Sequence, residues 1–217
     1  MCYNTKLIRK ASEIEIRFNA IFEDIDLYYP SNQINAFEFP KTPIIRNLQQ
    51  KKIEHCSWGL IPQWAEDENI RKYTLNARIE TITKKASFKE NIHNRCLIIA
   101  DGFYEWQWMD TKGRNKQKYE VGLPNNDLFA FAGLWSEWYD EISKETKKTY
   151  TIITKEAQGI MREIHNSKKR MPLILSKDNE KHWLSNNSIE EFKNINIELK
   201  ASKILSNNSN NSQLSIF

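Results

Sequence analysis

No stretch of this 217-residue chain reaches the about 18 consecutive apolar residues that a membrane-spanning helix needs. The amino terminus, MCYNTKLIRK, has no apolar core of a secretory signal. Cysteine is scarce: Cys2, Cys56 and Cys96 are odd in number and widely spaced. They form neither a disulfide framework nor a CxxC metal knuckle, and a reducing, cytoplasmic setting is expected. GxxxxGK[ST] and GxGxxG are absent, which leaves phosphate cradles for nucleotides unsupported. HExxH, H-x-E…PCxxC and GxSxG are absent too, so zinc hydrolase, zinc deaminase and serine hydrolase chemistry lack their marks. Nothing calls for a metal or a cofactor. Neither an internal repeat nor an interior linker is evident.

What is present is enough for one core. Hydrophobic residues make up 40% of the chain, with abundant Trp and Tyr. The length fits one domain, placed at 1–200, with a polar tail at 201–217. Within that tail SNNSNNSQ (206–213) is too polar to bury surface and is expected to be disordered. Net charge is +4 and the isoelectric point near 8.8, a weak pointer to an anionic partner. Three basic clusters carry it: Lys84, Lys85 and Lys89; Lys112, Arg114, Lys116 and Lys118; Lys168, Lys169 and Arg170. Each alone reads as a solvated face. No heptad or sticky edge stands out, and a monomer is expected.

The pattern along the chain is α+β. Lys10 to Asn19 reads as a short helix with Ile14 and Phe18 four apart. Asp24 to Phe39 reads as irregular, between Pro30 and Pro40 as breakers. TPIIRNL (42–48) and IEHCSWGL (53–60) read as strands joined by a hairpin connection at Gln49 to Lys52. RCLIIA (95–100) reads as a buried strand, Asp101-Gly102 as a turn, and FYEWQWM (103–109) as a second strand, together a hairpin or a tight bend. Alternation sets Phe103, Glu105 and Gln107 on one face and Tyr104, Trp106 and Trp108 on the other. KYEVGL (118–123) and LFAFAGLW (128–135) read as another strand pair, and KTYTIITK (148–155) as a further strand. A helix capped near Thr154 is expected over 156–166. RMPLIL (170–175) is extended, and Ser176 and Ser188 open two more helices. The fold expected is an antiparallel, curved or barrel-like sheet system with short helices around it.

Four polar side chains are candidates for chemistry. When the initiator Met is removed, Cys2 carries an α-amine and a thiol on adjacent carbons. Their ordinary pKa values, roughly 8 and 8.5, leave both partly nucleophilic near neutral pH. Such a group can condense with an aldehyde through both atoms and close a five-membered ring, or act as an N-terminal nucleophile with its own amine as base. Asn76 in LNARIET, Glu105 in ADGFYEW and His165 in REIHNSKKRMP complete the set. Each also has an ordinary structural role. Asn76 could satisfy a loop backbone, Glu105 could pair with an Arg such as Arg78, and His165 could sit as a cation at a helix C-terminus. Cys56 and Cys96 lie in apolar runs and read as inert core thiols.

Six ordered blocks go further: MC at the start, WGLIPQWA (58–65), NARIET (76–81), RCLIIADGFYEW (95–106), FAFAGLW (129–135) and IHNSKKRMPLIL (164–175). In order and spacing the chain resembles the SRAP domain family, the SOS-response-associated peptidases that shield abasic sites. The resemblance runs from residue 2 to about 185. It implies binding of single-stranded DNA at an abasic site and a covalent thiazolidine crosslink between Cys2 and the ring-opened sugar aldehyde. It implies catalytic roles for Cys2, Asn76, Glu105 and His165, the last also in reversing the link. Arg78 and Arg170 would touch phosphates, and Trp58 and Trp106 would stack on bases or belong to the core. Many relatives begin Met-Cys-Gly-Arg. Here Tyr3 and Asn4 follow Cys2, so Tyr3 would stack and Asn4 hydrogen-bond where that Arg meets DNA. Asn166 to Lys169 lengthen the usual His-x-Arg-Met-Pro, and Ile99 stands where Pro is common. Two other classes stay open: a thiol peptidase acting on a leader or another chain, and a non-covalent reader of modified DNA. Only Met1 precedes Cys2, so autoproteolysis is not required. Use at the bacterial nucleoid is expected.

Overall fold

A computed structural model describes residues 2–205. In chain order the regular elements begin with β1 (Asn4–Leu7), α1 (Ala11–Phe18), β2 (Ile21–Phe22), β3 (Ser31–Asn35), β4 (Lys41–Arg46) and β5 (Lys52–Trp58). Next come β6 (Asn76–Arg78), α2 (Ala86–Lys89), β7 (Arg95–Ala100), β8 (Gly102–Trp108) and β9 (Lys116–Gly122). The chain continues through β10 (Phe129–Asp140), β11 (Glu145–Glu156), α3 (Met161–Ile164), β12 (Arg170–Pro172) and β13 (Ile174–Leu175). It ends with α4 (Lys177–Leu184), α5 (Glu190–Lys193) and β14 (Lys200–Lys203). Among the described residues no helix is long and apolar enough to cross a membrane.

The strands form two sheets. One has nine strands, and its path β11-β10-β7-β4-β5 returns to β11 through a parallel pairing of Thr149 with Ser57 and Tyr150 with Trp58. That return closes a five-stranded barrel, and closure removes the exposed edges an open sheet leaves. The other sheet has five strands in the order β14-β9-β8-β1-β3. The α+β class with an antiparallel, barrel-like sheet is thus the architecture.

Packing follows the residue types. Trp58, Cys56, Ile44, Ile98, Phe131 and Tyr150 are buried in one cluster that also takes in Phe103, Val121 and Cys2. The cluster therefore runs from the barrel to the inner face of the five-stranded sheet. Gly133 leaves no room for a side chain, since a Cβ there would lie 2.1 Å from Ile98 Cδ1 and 2.8 Å from the Thr151 carbonyl. A second cluster covers the barrel's outer side, where Ile14 of α1, Trp183 of α4 and Phe192 of α5 meet Ile45, Leu97 and Leu134. Helix α1 buries Ile14 as the four-residue spacing required, and Asn19 ends it in the left-handed conformation. Ser176 caps α4 by accepting the Asn179 N–H.

Several expectations change. The segment 24–39 contains β3, which pairs with β1. RCLIIADGFYEWQWM is a bend and not a hairpin: β7 pairs with β4 and β10, whereas β8 pairs with β1 and β9. Asp101 holds the bend, its carboxylate accepting the Ile8 N–H at 2.6 Å. β9 and β10 do not pair, because their loop carries the chain from one sheet to the other. Thr154 caps nothing. It lies inside β11, its hydroxyl on the Ala77 carbonyl, and only α3 remains of the helix expected over 156–166. The domain boundary after residue 200 falls within β14, which pairs with β9, so the ordered domain runs further. The disorder expected at 206–213 lies outside the described residues.

Candidate active site and nucleic-acid interface

The candidate residues gather around Glu105 on β8. Cys2 lies just before β1 and is wholly buried. Asn76 opens β6, a three-residue strand that pairs in parallel with β11 at Ile152. Its side-chain Nδ2 donates to the Cys2 carbonyl at 2.9 Å, which ties the amino terminus to the barrel. Its Oδ1 is buried and has no hydrogen-bond partner among the described residues. Glu105 shares the inner face of β8 with Phe103, as the alternation predicts, and is 4% exposed.

His165 follows α3. Its Nδ1 accepts the Arg170 backbone N–H at 3.1 Å, so the neutral ring carries its proton on Nε2. That Nε2 faces Glu105 Oε2 at 3.7 Å. The long loop that separates His165 from Arg170 does not disturb this. His165 O accepts the Lys169 N–H at 2.8 Å, and Asn166 bonds both the N–H and the carbonyl of Trp108.

Burial sets the protonation of the group. Loss of solvent pushes Glu105 up to about 7, against the opposing pull of the positive amino terminus and the Trp106 N–H. Loss of solvent also pulls His165 down to about 4, helped by the amino terminus, Lys168 and Arg170. The cation expected at a helix C-terminus does not form, because α3 is only four residues long and burial outweighs its dipole. Burial first, and the Glu105 charge second, push the Cys2 thiol far above its ordinary value. Near neutral pH the site therefore holds a thiol, a neutral imidazole and a carboxyl group poised between its two forms. The site offers both a proton donor and a proton acceptor in buried, water-poor surroundings.

The other predicted residues separate. Arg78 is exposed at the end of β6. It helps line a cleft of about 370 Å³ with Tyr3, Lys72, Tyr73, Asn76 and Lys85. Arg78 also borders a neighbouring hollow with Lys168 and Lys169. Lysines from two of the three basic clusters thus converge on Arg78. Arg170 borders the same hollow, with its guanidinium already engaged. It is buried, its guanidinium bound to both carboxylate oxygens of Glu80 at 2.7 and 3.0 Å and to the Thr154 carbonyl. Trp58 takes the core alternative that the resemblance left open. It is fully buried and its Nε1 donates to the Leu75 carbonyl at 2.8 Å, which fixes the residue before Asn76. Trp106 is half-buried on the outer face of β8, with Lys118 Nζ 5.5 Å from its ring. Asn4 Oδ1 accepts from Gln33 Nε2 at 3.0 Å. Lys72 and Tyr73 escaped the sequence reading, although Tyr73 is 82% exposed, and their only mark was a Tyr beside Arg71-Lys72 in a loop.

A profile of the SOS response associated peptidase (SRAP) family matches residues 1–208. The chain belongs to the SRAP family. Its SRAP relatives include the abasic site processing protein YoaM of Bacillus subtilis, 39% identical over 169 residues, covering 75% of this chain and 71% of YoaM. YoqW of the same organism, also named an abasic site processing protein, is 37% identical over 187 residues, covering 85% of this chain and 80% of YoqW. The chain spans about half of the abasic site processing protein HMCES of Xenopus tropicalis, at 31% identity over 193 residues and 55% coverage of that protein. A crystal structure of a protein from Bacteroides thetaiotaomicron superposes with a TM-score of 0.86 at 31% identity, covering 94% of this chain and 92% of that one.

Proposed function

We propose that this SRAP chain processes abasic sites, binding single-stranded DNA at the lesion and linking Cys2 covalently to the opened sugar. The observation that carries the reading is the Asn76 hydrogen bond to the Cys2 carbonyl beside the buried Glu105–His165 pair. An abasic sugar is mostly a closed hemiacetal, and opening it needs a proton taken from the C1′ hydroxyl and one given to the ring oxygen. A carboxyl group near pKa 7 does both at neutral pH. Once Met1 is removed, the Cys2 α-amine attacks the C1′ aldehyde. Its two hydrogens leave with the carbonyl oxygen as water, and an imine forms. The Cys2 sulfur then bonds to the imine carbon while the thiol hydrogen passes to nitrogen, closing the thiazolidine. Running the same proton transfers backwards reverses the link.

The raised thiol pKa favours this order over peptide cleavage. A thiol peptidase needs a thiolate, and reactive cysteines have lowered pKa values. Addition of a thiol to an imine needs no preformed thiolate. Arg78, Lys72 and Lys85 hold phosphates in the cleft, and Tyr3, 4.9 Å from Phe37 between ring centres, walls the lesion with an aromatic face. The missing base at the lesion lowers the unstacking cost by a few kcal/mol, which selects damaged DNA. The protein acts as a monomer in the cytoplasm. A denaturing gel of protein incubated with a single-stranded abasic oligonucleotide tests the reading. A shifted band from wild type and none from Cys2→Ala supports it. A shifted band from Cys2→Ala refutes it.

A further inference from the structure

The outer face of the five-stranded sheet is not used by the chemistry above, yet its composition is specific. Strand alternation puts Tyr104, Trp106 and Trp108 on the side of β8 opposite Glu105. The register sets Lys118 across from Trp106 and Lys116 across from Trp108. Lys118 Nζ lies 4.1 Å from the Tyr104 ring centre, and Lys116 Nζ 5.8 Å from that of Trp108. The loop between β8 and β9 adds Lys112 and Arg114, both exposed. It is a built loop. Asp110 accepts the backbone N–H groups of Lys112, Arg114 and Asn115, and Gly113 lies flat on Trp108, where a Cβ would come 2.5 Å from the indole. Its φ of +63° also favours glycine. Tyr104 is buried and Gly113 covers one side of Trp108, so Trp106 is the ring available to a base; a stacking ring beside ammonium groups is what a run of unpaired nucleotides requires.

The face backs the strand that carries Glu105. Trp106 follows Glu105 along β8, and Asn4 follows Cys2 by two residues. Asn4 accepts from Gln33, whose Oε1 accepts from Lys118 Nζ at 2.9 Å. We propose that the outer face of β8 and β9, with the basic loop between them, is a second contact for single-stranded DNA that holds the strand beyond the lesion. The proposal rests on the reading of the cleft as a DNA site. It assigns the cluster Lys112, Arg114, Lys116 and Lys118 a ligand: the phosphates of the strand that flanks the lesion.

The test is a triple variant, Lys112→Gln, Arg114→Gln and Lys116→Gln. All three side chains are exposed, and the loop is held by backbone bonds to Asp110 that the variant keeps. Binding to an undamaged single strand of roughly 16 nucleotides is measured against salt, alongside crosslinking of an abasic oligonucleotide of roughly 4 nucleotides. Three lost phosphate contacts make the slope of log K against log salt shallower by about 2, so wild type loses about twentyfold more affinity than the variant over a fourfold rise in salt. Crosslinking of the short oligonucleotide stays at the wild-type rate. A variant whose slope and affinity on the long strand equal wild type overturns the proposal. Failure of wild type to crosslink the short oligonucleotide sinks the reading of the cleft instead, and the salt slopes still decide the face.

Discussion

Replacing Glu105 by Gln tests the electrostatic logic of the site. The carboxyl group is buried beside Phe103 and the Cys2 region, and desolvation raises its pKa from 4.5 to about 7. Such a rise disfavours the ionised form by about 3 kcal/mol. In the unfolded chain the group ionises near 4.5, so between 4.5 and 7 the unfolded state has lost a proton that the folded state keeps. Stability therefore falls as pH rises through this window, and the loss is complete above pH 7. Glu105→Gln is neutral at every pH and escapes the loss. Urea unfolding of both proteins at pH 5 and pH 8 measures it. The stability of the variant relative to wild type should rise by about 2–3 kcal/mol between the two pH values. The crosslinking rate should fall in the variant and lose the inflection near pH 7 that wild type shows. A stability difference that does not change with pH would refute the argument that Glu105 is held neutral by burial.

Other consequences follow from particular contacts. His165 is held neutral with its pKa near 4, so wild type loses stability as pH falls from 6.5 towards 4; acid unfolding of His165→Ala should lack that component. Gly133→Ala drives a methyl into Ile98 and the Thr151 carbonyl and should cost about 1–3 kcal/mol or more in a denaturant titration. Trp58→Phe removes one of the two hydrogen bonds to the buried Leu75 carbonyl, which keeps the Ile152 N–H, at a cost of about 0.5–1.5 kcal/mol. It should also slow crosslinking by loosening Asn76 while leaving DNA affinity unchanged. A stacking Trp58 would show the reverse in a polarisation titration.

The local grammar of the chain carried far. Alternation in FYEWQWM put Glu105 and Trp106 on opposite faces of one strand, and the fold turns the Glu105 face inward. Tertiary pairing was less legible. RCLIIADGFYEW has the pattern of two strands about a turn, and that pattern is the same whether the strands pair or part into two sheets. The parting depends on Asp101 reaching the Ile8 N–H, 93 residues away in sequence. Arg170 and Trp58 show the same limit. An Arg in a basic cluster looks like a surface group, and a Trp at the end of a strand suits a stacking ring or the core equally; only the fold brings Glu80 and the Leu75 carbonyl to them. The tautomer of His165 rests on a backbone N–H five residues on, across a loop whose length the sequence showed but whose closure it did not.

The central claim is a two-point bond between Cys2 and one sugar carbon. Intact mass of the purified protein, taken before and after incubation with a single-stranded oligonucleotide carrying one abasic site, tests it directly. The account predicts a chain without Met1 and an adduct of the oligonucleotide mass less one water, stable to heat without borohydride. A chain that retains Met1 and still forms the adduct, or one that has lost Met1 and forms none, would contradict it.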